Sequence, residues 1–344
     1  MRFELGVYTF GNTPRNPGGG YGTTAQAIRD ALEAARLADE VGLDFFGFGE
    51  HHTTSMPQSS PAAMVNAAAA STRQIRLGTT VTVLSTDEPL RVFEQLATAD
   101  AVAPGRVEVV AGRGSSPVTF PLFDYDERDY DMLFASKLDL LLAANANERV
   151  TWNGPHRQRP LEGALIVPRP DTPLRVWLGT GGSPGSVLRA VEFGLPMFLG
   201  VLGGTPQHWA QYGHAYREAW AQVGHPAGAA GIAIAVHGFI SQDDREAKAT
   251  YLKHELRMFT TGAAEIGRPG MAPPGRAADL EPGGMVFAGG PNEVTDRILR
   301  LHQMLGHDRQ ILQMDVVGMP HATYLKAIEL LGTEVAPQVR KELG

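Results

Sequence analysis

Cysteine is absent from all 344 residues, which excludes disulfides, thiolate metal sites and cysteine nucleophiles together. Lysine is scarce: Lys137, Lys248, Lys253, Lys326 and Lys341 are all there are, and arginine supplies the other basic charges. The 30 basic and 37 acidic residues leave a formal charge of −7, and no Lys/Arg run interrupts that balance. Such a chain lacks the electrostatic footprint of a nucleic-acid binder. No apolar run approaches the ~20 residues of a membrane span. Met1–Leu5 lacks the basic and apolar regions of a secretion signal, so a cytoplasmic location is expected. Neither H-E-x-x-H nor H-x-x-x-H occurs, so no metal is expected. A serine hydrolase is not expected either, on the reading that the chain holds no nucleophile elbow.

What is present is an alternation of β-rich runs with helical periodicity, which predicts an α/β fold with a parallel sheet. Eight strand–helix units fit one (β/α)₈ TIM barrel over residues 1–344, with insertions near 145–172 and 262–284. Predicted strands are Phe3–Phe10, Leu43–Phe48, Ile75–Leu84, Arg106–Ala111, Leu174–Leu178, Pro196–Leu202, Ile232–Ile240 and Gln310–Val317. Thr23 with Gln26, and Ser60 before Pro61, read as helix starts. Val150–Pro170 reads as an irregular insertion with a small hairpin. Gly262–Gly284, with its six glycines and four prolines, reads as a loop without regular structure.

Barrel active sites lie at the C-terminal strand ends. Strand two ends in Gly49–Glu50–His51–His52, strand four in Gly112–Arg113–Gly114–Ser115, strand five in Gly179–Thr180–Gly181–Gly182–Ser183. Glycine at so many strand ends favours a ligand held close to the backbone, although any one of them could serve only a tight turn. Gly181, Gly182, Ser183 and Ser186 combine a freed backbone with a helix N-terminus, as a phosphate site requires. An ordinary serine cap explains that run equally well. A dinucleotide fingerprint fails, because no acidic residue stands about 20 positions on. Arg113, from the neighbouring strand end, can meet the same phosphate. Glu50, His51 and His52 suit acid–base work or a structural hydrogen bond; adjacent histidines on a strand diverge and chelate one ion poorly.

Read together, these residues resemble the luciferase-like flavin monooxygenases along nearly the whole chain. The resemblance rests on Gly42–Phe45 with Glu50–His52, Leu77–Val81 with Pro89–Glu94, Pro104–Arg106 with Gly112–Gly114, Gly181–Ser183 through Phe193–Pro196, and Leu330–Pro337. It implies a barrel that takes reduced FMN from a separate flavin reductase and directs oxygen onto a small organic substrate. By position, Arg113, Gly182, Ser183 and Ser186, with Gly181, would hold the phosphate. His51 would stand at the reacting edge, and Thr80–Val81 where relatives place a non-prolyl cis peptide against the ring. Tyr8, Glu50 and His52 would face the substrate. Gly112 stands where bacterial luciferase has a reactive cysteine, so light emission is not expected. Two alternatives stay open: an F420-dependent oxidoreductase of the same fold, with only Arg15, Arg268 and Arg276 near its mouth, and a non-catalytic flavin-binding protein. The resemblance, with the small residues of Ala62–Ala70, implies a homodimer or larger even assembly.

Overall fold

A computed structural model describes residues 2–16, 18–114, 116–270 and 276–344. Eight parallel strands form its centre: β1 (Glu4–Thr9), β2 (Phe45–Phe48), β3 (Arg76–Thr79), β4 (Val107–Gly112), β5 (Arg175–Thr180), β6 (Met197–Val201), β7 (Ile232–Ile240) and β8 (Arg309–Gln313). Each pairs with the next, and β8 pairs back to β1, so the sheet closes. This is a (β/α)₈ barrel. Around it run α1 (Thr24–Glu40), α2 (Pro61–Ala69), α3 (Pro89–Val102), α4 (Tyr130–Ala146), α5 (Pro184–Glu192), α6 (Pro206–Val223), α7 (Asp244–Arg257), α8 (Pro291–Leu305), α9 (His321–Leu330) and α10 (Ala336–Leu343). No described helix is long and apolar enough to cross a membrane.

Local chemistry sets the helix ends. Thr23 Oγ1 accepts the Gln26 amide at 3.1 Å and starts α1. Gly224 and Gly306 end α6 and α8 in the left-handed region, where a Cβ would be strained. Because helices cover the outer face and side chains fill the inner one, all nine residues of β7 are buried. Inside the barrel Tyr8, Phe45, Val110, Trp177, Phe198 and Ile311 pack on one another.

The N-terminal end of the barrel is closed by charge. Arg309 is 0% exposed; it donates to Glu108 at 2.7 and 3.1 Å and to Glu4 at 2.6 Å. Trp177 Nε1 donates to the same Glu108 carboxylate at 2.9 Å, and the guanidinium lies over the Phe45 and Trp177 rings. Burial by itself would raise the Glu108 carboxyl, but Arg309, with Arg175 and Arg76, outweighs it and holds the group below the ordinary glutamate range. Polar residues at the bottom of a barrel read as stabilising elements.

Several elements differ from the sequence expectation. The run Ile75–Leu84 is two strands, β3 and Thr82–Val83, separated at Thr80–Val81, whose peptide bond is cis. An apolar β-branched run carries no mark of where it leaves the ladder. Ser60 makes no side-chain cap bond to α2. Within 262–284, Ala263–Glu265 and Arg276–Asp279 are helical, so the segment is not free of regular structure. Phe287–Gly289 is an unforeseen short strand beside β7. The predicted hairpin is Arg149–Trp152 with Leu161–Leu165, antiparallel.

Glu108→Ala is expected to cost about 3–5 kcal/mol, because it leaves the Arg309 charge buried without its main partner. Urea unfolding would show it, and a Glu108→Leu/Arg309→Met pair should recover most of the loss. The ion pair's contribution is present above the unfolded glutamate pKa of about 4.3 and is lost as pH falls through the lower folded value. The gap between wild type and the double variant should therefore change below about pH 4. A Glu108→Ala protein as stable as wild type would refute this account of the barrel floor.

Candidate active site

At the opposite, C-terminal end, the strand ends surround a cleft of about 330 Å³ lined by Tyr8, Phe10, Glu50, His51, Thr80, Val81, Val83, Gly112, Arg113, Gly114 and Gly179–Gly181, among others. That size falls in the usual range for ligand sites. A second, smaller cavity of about 160 Å³ shares Tyr8, Phe10 and His51 with it and runs on to Met56, His237, Phe259, Ile266 and Gln313. His51 therefore stands at the junction of the two spaces.

The glycines of these strand ends have two separate causes. A Cβ at Gly112 would lie 2.3 Å from Val81, and one at Gly49 2.3 Å from Phe10, so these two allow close packing within the wall. By contrast, a Cβ at Gly181 would meet nothing within 4 Å, and one at Gly200 only a carbonyl at 3.7 Å. Their missing side chains keep the cleft open. Gly182 has φ +74°, and a Cβ there would also strike Trp209 at 2.2 Å, so its backbone requires glycine.

His51 is half-buried at the cleft, and desolvation of its ring, helped by neighbouring His52, lowers its pKa to about 4. At neutral pH it is therefore an uncharged imidazole. Its ring lies against Phe10, with centroids 4.5 Å apart. Glu50 does not orient it. The Glu50 carboxylate is held by His52 Nε2 at 3.0 Å and by the Val83 amide at 2.8 Å. His52 turns away and lines a shallow outer groove with Thr24, Ile28 and Glu265, so it is not brought to the cleft. Burial raises the Tyr8 hydroxyl above the usual tyrosine range, with Asp315 adding to it, so that hydroxyl stays protonated.

On the other side, Arg113 donates to Tyr130 Oη at 2.6 Å and to Asp131 at 2.8 Å. Arg189 donates to the same Asp131 oxygen at 3.0 Å. Two guanidinium groups thus converge on one half-exposed carboxylate beside the cleft. Arg189 was not among the sequence candidates; its only signal was an arginine two turns into the helix that follows the glycine run. Ser183 caps α5, accepting the Ser186 amide at 3.3 Å, while Ser186 Oγ receives the Ser183 amide at 3.3 Å. Gly182, Ser183 and Ser186 do not line the cleft itself; Gly181 does. The run Gly181–Gly185 also spells G-x-S-x-G, contrary to the expectation that the chain holds no such pattern. It is not a nucleophile elbow: the Ser183 hydroxyl bonds within the cap to Ser186, and no histidine is hydrogen-bonded to it among the described residues. Ser115 lies outside the described residues.

Among described residues Asp30, Glu33 and His321 are close enough together to hold a cation, but they lie on α1 and α9, away from the cleft. Of the arginines considered for a basic mouth, Arg276 is 4% exposed and bound to Glu255 and Asp279, so it cannot serve one.

With this geometry established, comparison with known proteins gives a consistent answer. The model of the luciferase-like monooxygenase family matches residues 7–314. An uncharacterized protein of Sinorhizobium fredii is 26% identical over 335 residues, covering 94% of each chain. The F420-dependent glucose-6-phosphate dehydrogenase of Beutenbergia cavernae is 34% identical over 177 residues, 47% of this chain and 51% of that protein. Among solved structures, the oxygenating constituent of 3,6-diketocamphane monooxygenase from Pseudomonas putida, in complex with FMN, superposes with a TM-score of 0.76 at 18% identity, over 98% of this chain and 99% of that one. The chain is an enzyme belonging to the luciferase-like monooxygenase family, whose relatives named here include one that binds FMN and one that depends on F420.

Proposed function

We propose that this chain is an FMN-dependent monooxygenase acting on a small organic substrate, with reduced flavin supplied by a separate reductase. The observation that carries this reading is the open glycine-lined cleft with Arg113 and Arg189 converging at its edge. A phosphate brought there could replace the Asp131 carboxylate as their common partner, since guanidinium binds both by paired hydrogen bonds. The walls fit a flat ring with polar edges: Thr80 Oγ1 is buried without a hydrogen-bond partner, and Gly181 leaves its side-chain space empty. When bound, reduced FMN supplies the electrons that activate dioxygen for insertion into the substrate.

The protein contributes position, exclusion of water and a hydrogen-bonding imidazole. Arg113 and the amides at the start of α5 would hold the phosphate end. Tyr8, Val81 and Phe10 form apolar walls that keep water from the reacting region. His51, at the junction of cleft and cavity, offers a neutral ring with one N–H donor and one acceptor nitrogen, which can take a proton from a substrate hydroxyl and return it to the same oxygen. An F420-dependent oxidoreductase is the competing reading, supported by the similarity to the Beutenbergia dehydrogenase. We also propose that the chain assembles as a homodimer or larger even assembly, with the exposed Ala63 and Ala67 of α2, and Ala70 just past its end, allowing close helix approach.

Fluorescence titration with FMN, riboflavin and F420 tests the cofactor. FMN should bind, and Arg113→Ala should weaken it roughly ten- to hundredfold while leaving riboflavin, which lacks the phosphate, almost unchanged. Binding of F420 without FMN would replace this reading by the competing one.

Turnover with a reductase partner tests His51. His51→Ala should lose about 10²–10⁴-fold in turnover with little change in FMN affinity. Because the His51 pKa is about 4, the wild-type rate should show no histidine break between pH 5.5 and 7.5. A break near 6.5 that disappears in His51→Gln would contradict the neutral ring.

Light scattering at micromolar concentration should give twice the chain mass or a larger even multiple of it. A monomer would end the assembly proposal.

A further inference from the structure

The smaller cavity has a chemistry of its own. No lysine, arginine, aspartate or glutamate lines it among the described residues; Met56, Phe259 and Ile266 make its walls apolar. Its volume of about 160 Å³ is close to the ~150 Å³ of an engineered apolar cavity that binds benzene. Moving a carboxylate or phosphate into such a space is costly without a paired cation. Size and lining together call for an uncharged molecule of about one ring.

One polar group at the wall is held with unusual firmness. His237, on β7, is 2% exposed, and its Nδ1 lies 2.9 Å from Glu255 Oε1. Glu255 is 0% exposed and takes Arg276 Nε at 2.7 Å on its other oxygen. Arg276 Nη2 also lies 3.1 Å from His237 Nδ1, but its closer partner is the carboxylate. With the guanidinium directed to Glu255, the imidazole Nδ1–H donates to that carboxylate, and Nε2 is left as an acceptor. This arrangement does not fix the phosphate or support the barrel floor, and neither role above uses it.

We infer that the smaller cavity receives an uncharged, ring-sized molecule bearing a hydroxyl group, whose O–H donates to His237 Nε2, with Glu255 and Arg276 as positioning residues. The inference rests on the flavin reading only in that the cavity opens into the proposed cofactor cleft. It deepens that reading by naming the substrate class.

The test is binding of four probes by calorimetry, with and without FMN: phenol, which can donate; anisole, which can only accept; toluene, which can do neither; and benzoate, which is charged. Phenol should bind roughly tenfold more tightly than toluene or anisole, as one added hydrogen bond provides. Benzoate should bind weakest. His237→Leu, which removes the ring nitrogens at similar volume, should bring phenol to the level of toluene and leave toluene nearly unchanged. Ala263→Phe, which fills the cavity, should abolish binding of all four. Equal binding of phenol and toluene by the unaltered protein, anisole as tight as phenol, or benzoate tightest would each overturn the inference, whether or not the variants fold. So would phenol selectivity that survives either substitution. The FMN titration on the same samples separates the two proposals: loss of FMN binding with the probe ranking intact removes the cofactor assignment alone.

Discussion

Arg309 carries its charge into the closed end of the barrel, where it is tolerable only because Glu108 and Glu4 meet it and the Phe45 and Trp177 rings cover it. The residues joined there come from β1, β2, β4, β5 and β8, so one ionic cluster ties together more than half of the strands. Its consequence lies at the other end. With the bottom filled by charge and aromatic rings, the space that remains within reach of the strand ends is at the C-terminal mouth. The cleft and the smaller cavity both open there.

At that mouth the same residue type performs opposite tasks. Gly49 and Gly112 are needed because Phe10 and Val81 press against them, which brings the Thr80–Val81 segment into the wall. Gly181 and Gly200, by contrast, leave open the space that a side chain would occupy. The first pair shapes the wall and the second keeps it clear. The absence of a cysteine at 112 has a packing reason as well: any side chain there would collide with Val81.

The two histidines that stand side by side in sequence show how burial separates equivalent residues. His51 is turned into the apolar junction, where ionisation is suppressed. His52 is held against the buried Glu50 carboxylate, which therefore pairs with it and not with His51. Arg113 illustrates the related point that a charged side chain at the rim of a cleft finds an ion partner within the fold. Asp131, from α4, serves it and Arg189 together.

Strand–helix alternation, the glycines at strand ends and the order of the motifs were legible in the sequence, because a covered parallel sheet requires continuous apolar runs and its turns require glycine. Those local rules determined the barrel and the rim on which Tyr8, His51, Thr80, Arg113 and Gly181 meet. Tertiary structure alone decided the direction of each ring and each ion pair: that Glu50 faces His52, that Arg189 joins Arg113, and that Ser183 and Ser186 bond to each other. It also decided that Glu108 finds Arg309 across 201 positions and that His237 finds Glu255 and Arg276. The physical reason is range. Helix caps and strand periodicity act over a few residues and are written in local order, whereas a buried charge selects its partner by where the folded backbone places it.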